Sequence, residues 1–183
     1  DSAVLLIGNQ NAGKTALFNA LTGLNSKVAN YPGITVEARV GHITRFMGAK
    51  VPVVDLPGTY SLLPASDEEE LTVKALFREL KDIHTHSLVV VVVDSTELRR
   101  GLYLYSQVIE LGFKAIIALS MVDQRPDLSK GSNLSSLKKA IGSIIVPVSI
   151  NDHDSIKKLS HTIDGILAGS FSPQVKDQPL LYK

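Results

Sequence analysis

The sequence predicts an α/β fold, with a mainly parallel sheet covered by helices on both faces. Three observations predict it. Short apolar, β-branched runs alternate along the chain with segments of helical spacing, which is the pattern of strands joined by helical crossovers. Between the first strand run and the first helical run lies "GNQNAGKT" (8–15), a glycine-spaced turn of the kind that leads a strand into a helix around an anion. Finally, 183 residues with 44% hydrophobic and 20% charged side chains suit one soluble globular domain with a full core.

The elements follow in order. "AVLLIG" (3–8) is a short apolar run bounded by glycine and reads as a strand. From Gly13 to Thr22, Ala16, Leu17, Ala20 and Leu21 recur at helical spacing. Asn25 to Ile34 is polar and broken by Pro32 and Gly33, so it reads as a loop. Thr35 to Phe46 and "KVPVVDLPG" (50–58) read as a hairpin that adds one antiparallel edge strand. "SDEEELTVKALFREL" (66–80) reads as a helix with acids in its first turn, where the helix dipole favours them. "SLVVVVVDS" (87–95) is a buried strand, and "GLYLYSQVIELG" (101–112) is a helix closed by glycine. "KAIIALSMVD" (114–123) is a strand and its exit loop. "NLSSLKKAIG" (133–142) is a short helix, "SIIVPVSI" (143–150) the last strand, and 154–167 the last helix. After Gly169 the texture changes. Residues 171–183 read as a linker leading to a further domain, leaving 1–170 as the globular unit.

Composition excludes several functions. There is no cysteine, hence no disulfide, thiolate catalysis or cysteine-built metal site. "LVVVVV" (88–93) is the longest apolar run and is far too short to span a bilayer. A net charge of +1 offers no general attraction for nucleic acid or an anionic membrane.

The loops carry the chemistry. In "GNQNAGKT", Gly8, Gly13, Lys14 and Thr15 fit the phosphate-loop pattern. Small residues let successive N–H groups turn inward around a phosphate, with Asn9, Gln10, Asn11 and Ala12 forming the turn and Ala16 entering the helix behind it. Lys14 reaches the β- and γ-phosphates, and the Thr15 hydroxyl suits Mg2+, a hard cation that takes oxygen ligands. "VVDLPG" (53–58) ends a strand in Asp55 and Gly58. Asp55 can hold Mg2+ through water, and Gly58 can offer its N–H to a γ-phosphate. "NYPGITVE" (30–37) puts Gly33 and Thr35 at a loop–strand junction, where a threonine can close over Mg2+ and release it. β propensity alone also accounts for Thr35. In "ALSMVD" (118–123), Ser120 and Met121 lead to Asp123, whose carboxylate can accept hydrogen bonds from guanine and meets an unfavourable acceptor in adenine. Ser149 and Ile150, after the last strand, fall where a second loop would support the base.

These loops, in this order, resemble the Ras-like P-loop GTPases. "GNQNAGKTALFNALTG", "NYPGITVE" and "VVDLPGTYSL" are similar to the N-terminal cytosolic G domain of FeoB-type bacterial ferrous iron transporters. The resemblance implies a six-stranded sheet, GTP hydrolysis and Mg2+. It implies a place at the cytoplasmic face of the inner membrane, coupling through a helical regulatory domain to a Fe2+ permease, and potassium stimulation with Asn11 as a K+ ligand. As a residue, Asn11 is equally a loop position that tolerates an unusual φ. Asn11, Lys14, Thr35 and Gly58 are the catalytic candidates. Thr59 stands where Ras-type proteins carry a water-positioning glutamine, so slow intrinsic turnover is expected. Two departures from the family pattern stand out. Ser120 replaces the asparagine that usually bridges phosphate loop and base, and Ile150 replaces an alanine. A serine has one hydroxyl donor and no amide, so a nucleotide sensor or an NTPase with relaxed base reading is the alternative function.

Other clusters read more plainly. His84 and His86 lack a third metal ligand, and Asp67–Glu70 reads as a helix N-terminus.

Overall fold

A computed structural model describes residues 2–30, 37–46, 48–56 and 87–170. Among the described residues seven strands form one sheet: β1 (Val4–Gly8), β2 (Ser26–Asn30), β3 (Glu37–Thr44), β4 (Lys50–Asp55), β5 (Leu88–Asp94), β6 (Lys114–Ser120) and β7 (Ile145–Pro147). Their order across the sheet is β2-β3-β4-β1-β5-β6-β7. Among the described residues the helices are α1 (Lys14–Thr22), α2 (Leu98–Glu110), α3 (Ser132–Ile141) and α4 (His153–Leu167), with a short 3-10 turn at Pro126–Leu128. The helix expected over 66–80 lies outside the described residues.

The apolar runs become central strands because both faces of the sheet are covered. Along β1 and β5, alternate residues enter opposite cores. Leu5, Ile7, Val89, Val91 and Val93 pack with Leu104 and Val108 of α2 and Leu134 of α3. Val4, Leu6, Val90 and Val92 pack with Leu17 and Phe18 of α1 and Ile156, Leu159 and Ile163 of α4. β1 runs parallel to β4 and β5, and β6 runs parallel to β5 and β7. The carboxyl ends of β1, β4, β5 and β6 therefore share one edge, where open α/β sheets place their ligands.

The sheet has seven strands rather than six, and the reason is β2. Ser26–Asn30 was expected to be loop, but it pairs antiparallel with β3, which pairs antiparallel with β4. The sheet thus carries two antiparallel pairings at that end: β3 alone runs against the other strands, and β2, which runs the same way as β4, is the edge. An edge strand needs no apolar face, and Val28 is 62% exposed, so composition concealed it. α2 also begins three residues before Gly101, which sits inside it.

Candidate functional site

The phosphate loop is built by close packing followed by two left-handed residues. A Cβ on Gly8 would stand 2.9 Å from the Val92 carbonyl oxygen, so only glycine lets β1 lie this near β5 as the chain turns out of the sheet. Asn11 and Gly13 then take φ of 64° and 82°, and the Ala12 N–H closes the turn on the Asn9 carbonyl at 3.2 Å. Asparagine is among the few side chains that adopt this region at small cost. Gly13 caps α1 without a side-chain hydrogen bond, and the helix has no acid in its first turn. Its first N–H groups therefore face a concavity of about 410 Å3 lined by residues 9–16 other than Ala12. Asn11 and Thr15 are exposed there.

Lys14 and Asp55 meet in this place from different elements. The Lys14 Nζ donates to Asp55 Oδ1, and both residues are more than nine-tenths buried. Asp55 is the last residue of β4, beside Leu6 of β1, so the parallel pairing sets its carboxylate next to the phosphate loop. Burying either charge alone would be costly, and each satisfies the other.

The second loop is joined to the first by a hydrogen bond. Ser120, at the end of β6, is buried, and its Oγ donates to the Ala12 carbonyl at 2.7 Å. The Val93 carbonyl lies 3.2 Å away as a second acceptor. One hydroxyl hydrogen serves one acceptor at a time, and the shorter contact is to the phosphate loop. Serine thus keeps the anchoring half of the role expected of asparagine. Met121 follows with φ of 55°. Val122 turns inward to the core and Asp123 outward to solvent. Beyond it, Arg125 and Asp127 form a two-bond pair, Nε–Oδ1 at 3.0 Å and Nη2–Oδ2 at 2.9 Å. Each raises the other's charged state: the hydrogen bond from Arg125 holds the Asp127 carboxyl below its usual range, and Asp127 pushes Arg125 up.

The third loop is short. The Ser149 N–H donates to Ser155 Oγ at 3.0 Å, and that hydroxyl also reaches the Asp152 carbonyl at 2.8 Å, tying the loop to α4. Ile150 is 54% exposed beside it.

The sheet thus brings together Gly8, Asn9, Gln10, Asn11, Ala12, Gly13, Lys14, Thr15, Ala16, Asp55, Ser120 and Met121 at one edge. Asp123, Ser149 and Ile150 stand on the adjoining loops. Gly33, Thr35 and Gly58 lie outside the described residues, as do Thr59, His84, His86 and Asp67–Glu70. Sequence reasoning passed over Ser95. It follows β5, is fully buried, and bonds to the Ser120–Met121 loop; only strand packing brings it there.

The chain resembles known proteins over most of its length. The family model for ferrous iron transport protein B matches residues 2–163. A Porphyromonas gingivalis Fe(2+) transport protein A/Fe(2+) transporter FeoB fusion protein is 38% identical over 166 residues, covering 91% of this chain and 19% of that protein. The cytosolic domain of the T. maritima FeoB iron transporter in a GMPPNP form superposes with a TM-score of 0.76 at 33% identity, covering 97% of this chain and 68% of the other. The isolated G domain of the same transporter gives a TM-score of 0.72 at 33% identity, covering 92% of this chain and 99% of the other. The chain spans about a fifth of the length of the curated relatives it matches. With the phosphate loop, the Asp55 strand end and the sheet order of a Ras-like P-loop GTPase fold in place, the chain belongs to the family of ferrous iron transport protein B, at its G domain.

Proposed function

We propose that this chain binds GTP and hydrolyses it slowly, as the switch domain of a bacterial Fe2+ transporter. The observation that carries the reading is the hydrogen bond from Ser120 to Ala12, which fastens a base-reading loop onto a phosphate-binding loop. Such a union serves a ligand with a base at one end and phosphates at the other. The T. maritima relative in its GMPPNP form supports the same ligand class.

The residues present fit a magnesium nucleotide. Thr15 and Asp55 offer oxygen donors near the head of α1, the set Mg2+ prefers. Bound there, Mg2+ would neutralise phosphate charge; an oxygen donor at Asn11 suits a monovalent cation such as K+, which would add positive charge near the β–γ bridge. The chain's own part is positional. Backbone N–H groups of 9–16 cradle the phosphates, and Lys14 turns from Asp55 toward the β- and γ-phosphates. Thr35 and Gly58 close on the γ-phosphate, with Gly33 a further nucleotide-binding candidate beside Thr35. Asp123 accepts from the guanine edge, flanked by Met121, Ser149 and Ile150. Loss of the γ-phosphate releases the loops holding Thr35 and Gly58. That release passes through residues 171–183 to a helical domain and a permease segment of the same polypeptide, at the cytoplasmic face of the inner membrane. No helix among the described residues is long and apolar enough to cross a membrane itself.

A second reading rests on the same bond. Ser120 gives its one hydrogen to the phosphate loop and has no amide left for the base. That favours a nucleotide sensor or an NTPase with relaxed base specificity. Hydrolysis of GTP and ATP, each in K+ and in Na+, with Asn11→Ala alongside, separates the readings. GTP-selective turnover that rises in K+ and loses the rise in Asn11→Ala supports the first. Equal use of GTP and ATP gives the second.

A further inference from the structure

We propose that Ser95 is a positioning residue for base recognition: it fixes the left-handed turn at Met121 and through it the aim of Asp123. The inference rests on the guanine-binding reading above. Ser95 has no accessible surface, yet it sits one residue beyond a strand end, in a connection where side chains are ordinarily solvated. All three of its polar groups are directed at one segment. Its N–H donates to the Ser120 carbonyl at 3.1 Å. Its Oγ donates to the Met121 carbonyl at 2.9 Å. Its carbonyl accepts from Arg125 Nη1 at 3.4 Å, and Arg125 is held in turn by Asp127.

The segment so gripped needs gripping. Met121 is a long side chain at φ 55°, a region such residues enter only when their surroundings impose it. The Met121 carbonyl also accepts the Gln124 N–H at 3.0 Å. The turn spanning Asp123 is thus closed at a carbonyl that Ser95 orients from behind. Ser120 fastens the start of the segment to the phosphate loop, and Ser95 fastens its curvature to β5. The two serines divide between them the work of holding a base loop whose bridging asparagine is absent.

The test compares nucleotides that do and do not use the guanine edge. Affinities of GDP, IDP and ADP are measured for the 183-residue chain and for Ser95→Ala, with thermal melting recorded without nucleotide. Ser95→Ala removes only the hydroxyl bond and leaves the Met121 carbonyl its Gln124 donor, so folding is retained. GDP affinity is expected to fall about three- to tenfold, the worth of one hydrogen bond. ADP, which gains nothing from Asp123, is expected to stay within twofold, and the preference for GDP over IDP is expected to narrow. Ser95→Cys, of similar volume with a weaker donor, should fall between, and carries the comparison if the alanine variant melts too early. A parent chain that prefers GDP while Ser95→Ala and Ser95→Cys leave that preference unchanged, or weaken GDP and ADP alike, overturns the role of Ser95. A parent chain with no preference for GDP overturns the guanine reading itself, and this inference with it.

Discussion

At the residue scale, the buried Lys14–Asp55 pair makes a double demand. Among the described residues each charge is matched by the other, so removing one leaves its partner buried without that match. Lys14→Met is expected to cost about 3 kcal/mol of stability as well as nucleotide binding. The double variant Lys14→Met/Asp55→Leu should cost clearly less than the two single changes summed, which urea denaturation of the four proteins would check. Ser120→Ala is the cleaner probe of the loop junction. It deletes the 2.7 Å bond to Ala12 and should destabilise by about 1–2 kcal/mol. Nucleotide affinity should drop in step, read by calorimetric titration. The phosphate loop was legible in the sequence because its glycines sit at fixed spacing for backbone reasons: Gly13 for its φ, Gly8 for its closeness to Val92. Ser95 was not legible. Its importance lies in bonds to residues 25 or more positions away, and nothing in "VVDST" distinguishes it from a turn serine.

At the scale of elements, glycine governs how near α2 comes to the sheet. A Cβ on Gly101 would lie 2.5 Å from Val93 Cγ1 and 2.9 Å from its Cγ2, and Val93 is fully buried with no room to turn. Gly101→Ala is therefore expected to destabilise by about 1–3 kcal/mol despite the helix propensity gained. For a domain of this length that is roughly 2–4 °C of melting temperature per kcal/mol, measurable by circular dichroism. Because Val93 precedes Asp94 and Ser95, the same change should also disturb the base loop. The interior strands β1, β5 and β6 were readable because parallel strands covered on both faces are apolar throughout. β2 was not, because its place is made by pairing with β3 rather than by its own side chains. Polar Ser26 and Lys27 are no handicap at an edge.

For the whole molecule, a turn early in the chain is tied to its last described helix. Arg45 Nε donates to Asp164 Oδ1 at 2.5 Å, and the Phe46 N–H donates to Oδ2 at 3.3 Å. The turn between β3 and β4 is thereby fastened to α4. The Arg45 hydrogen bond holds the Asp164 carboxyl below its usual range. A carboxyl with a lowered folded pKa stabilises the protein above its unfolded pKa, and that contribution is lost as pH falls through the folded value. Arg45→Ala should thus lower stability at neutral pH by about 0.5–1 kcal/mol, the side chains being a quarter exposed. The difference from the parent should vanish as pH drops below the ordinary carboxylate range, read from melting curves across pH.

The sheet order also has a consequence in time. Of the strands in this sheet β1 is made first, yet both of its neighbours, β4 and β5, are made later, and Val4 must wait for Leu88. The phosphate loop gains Val92 as the neighbour of Gly8 only after β5 is made, and Ala12 gains its serine partner only once Ser120 has been synthesised. A nascent chain arrested before β6 holds the whole glycine–lysine motif and still lacks the bond that joins its two recognition loops. On the proposed reading, competence for nucleotide is expected late in synthesis, because the earliest-made residues of the candidate site are the last to gain their partners.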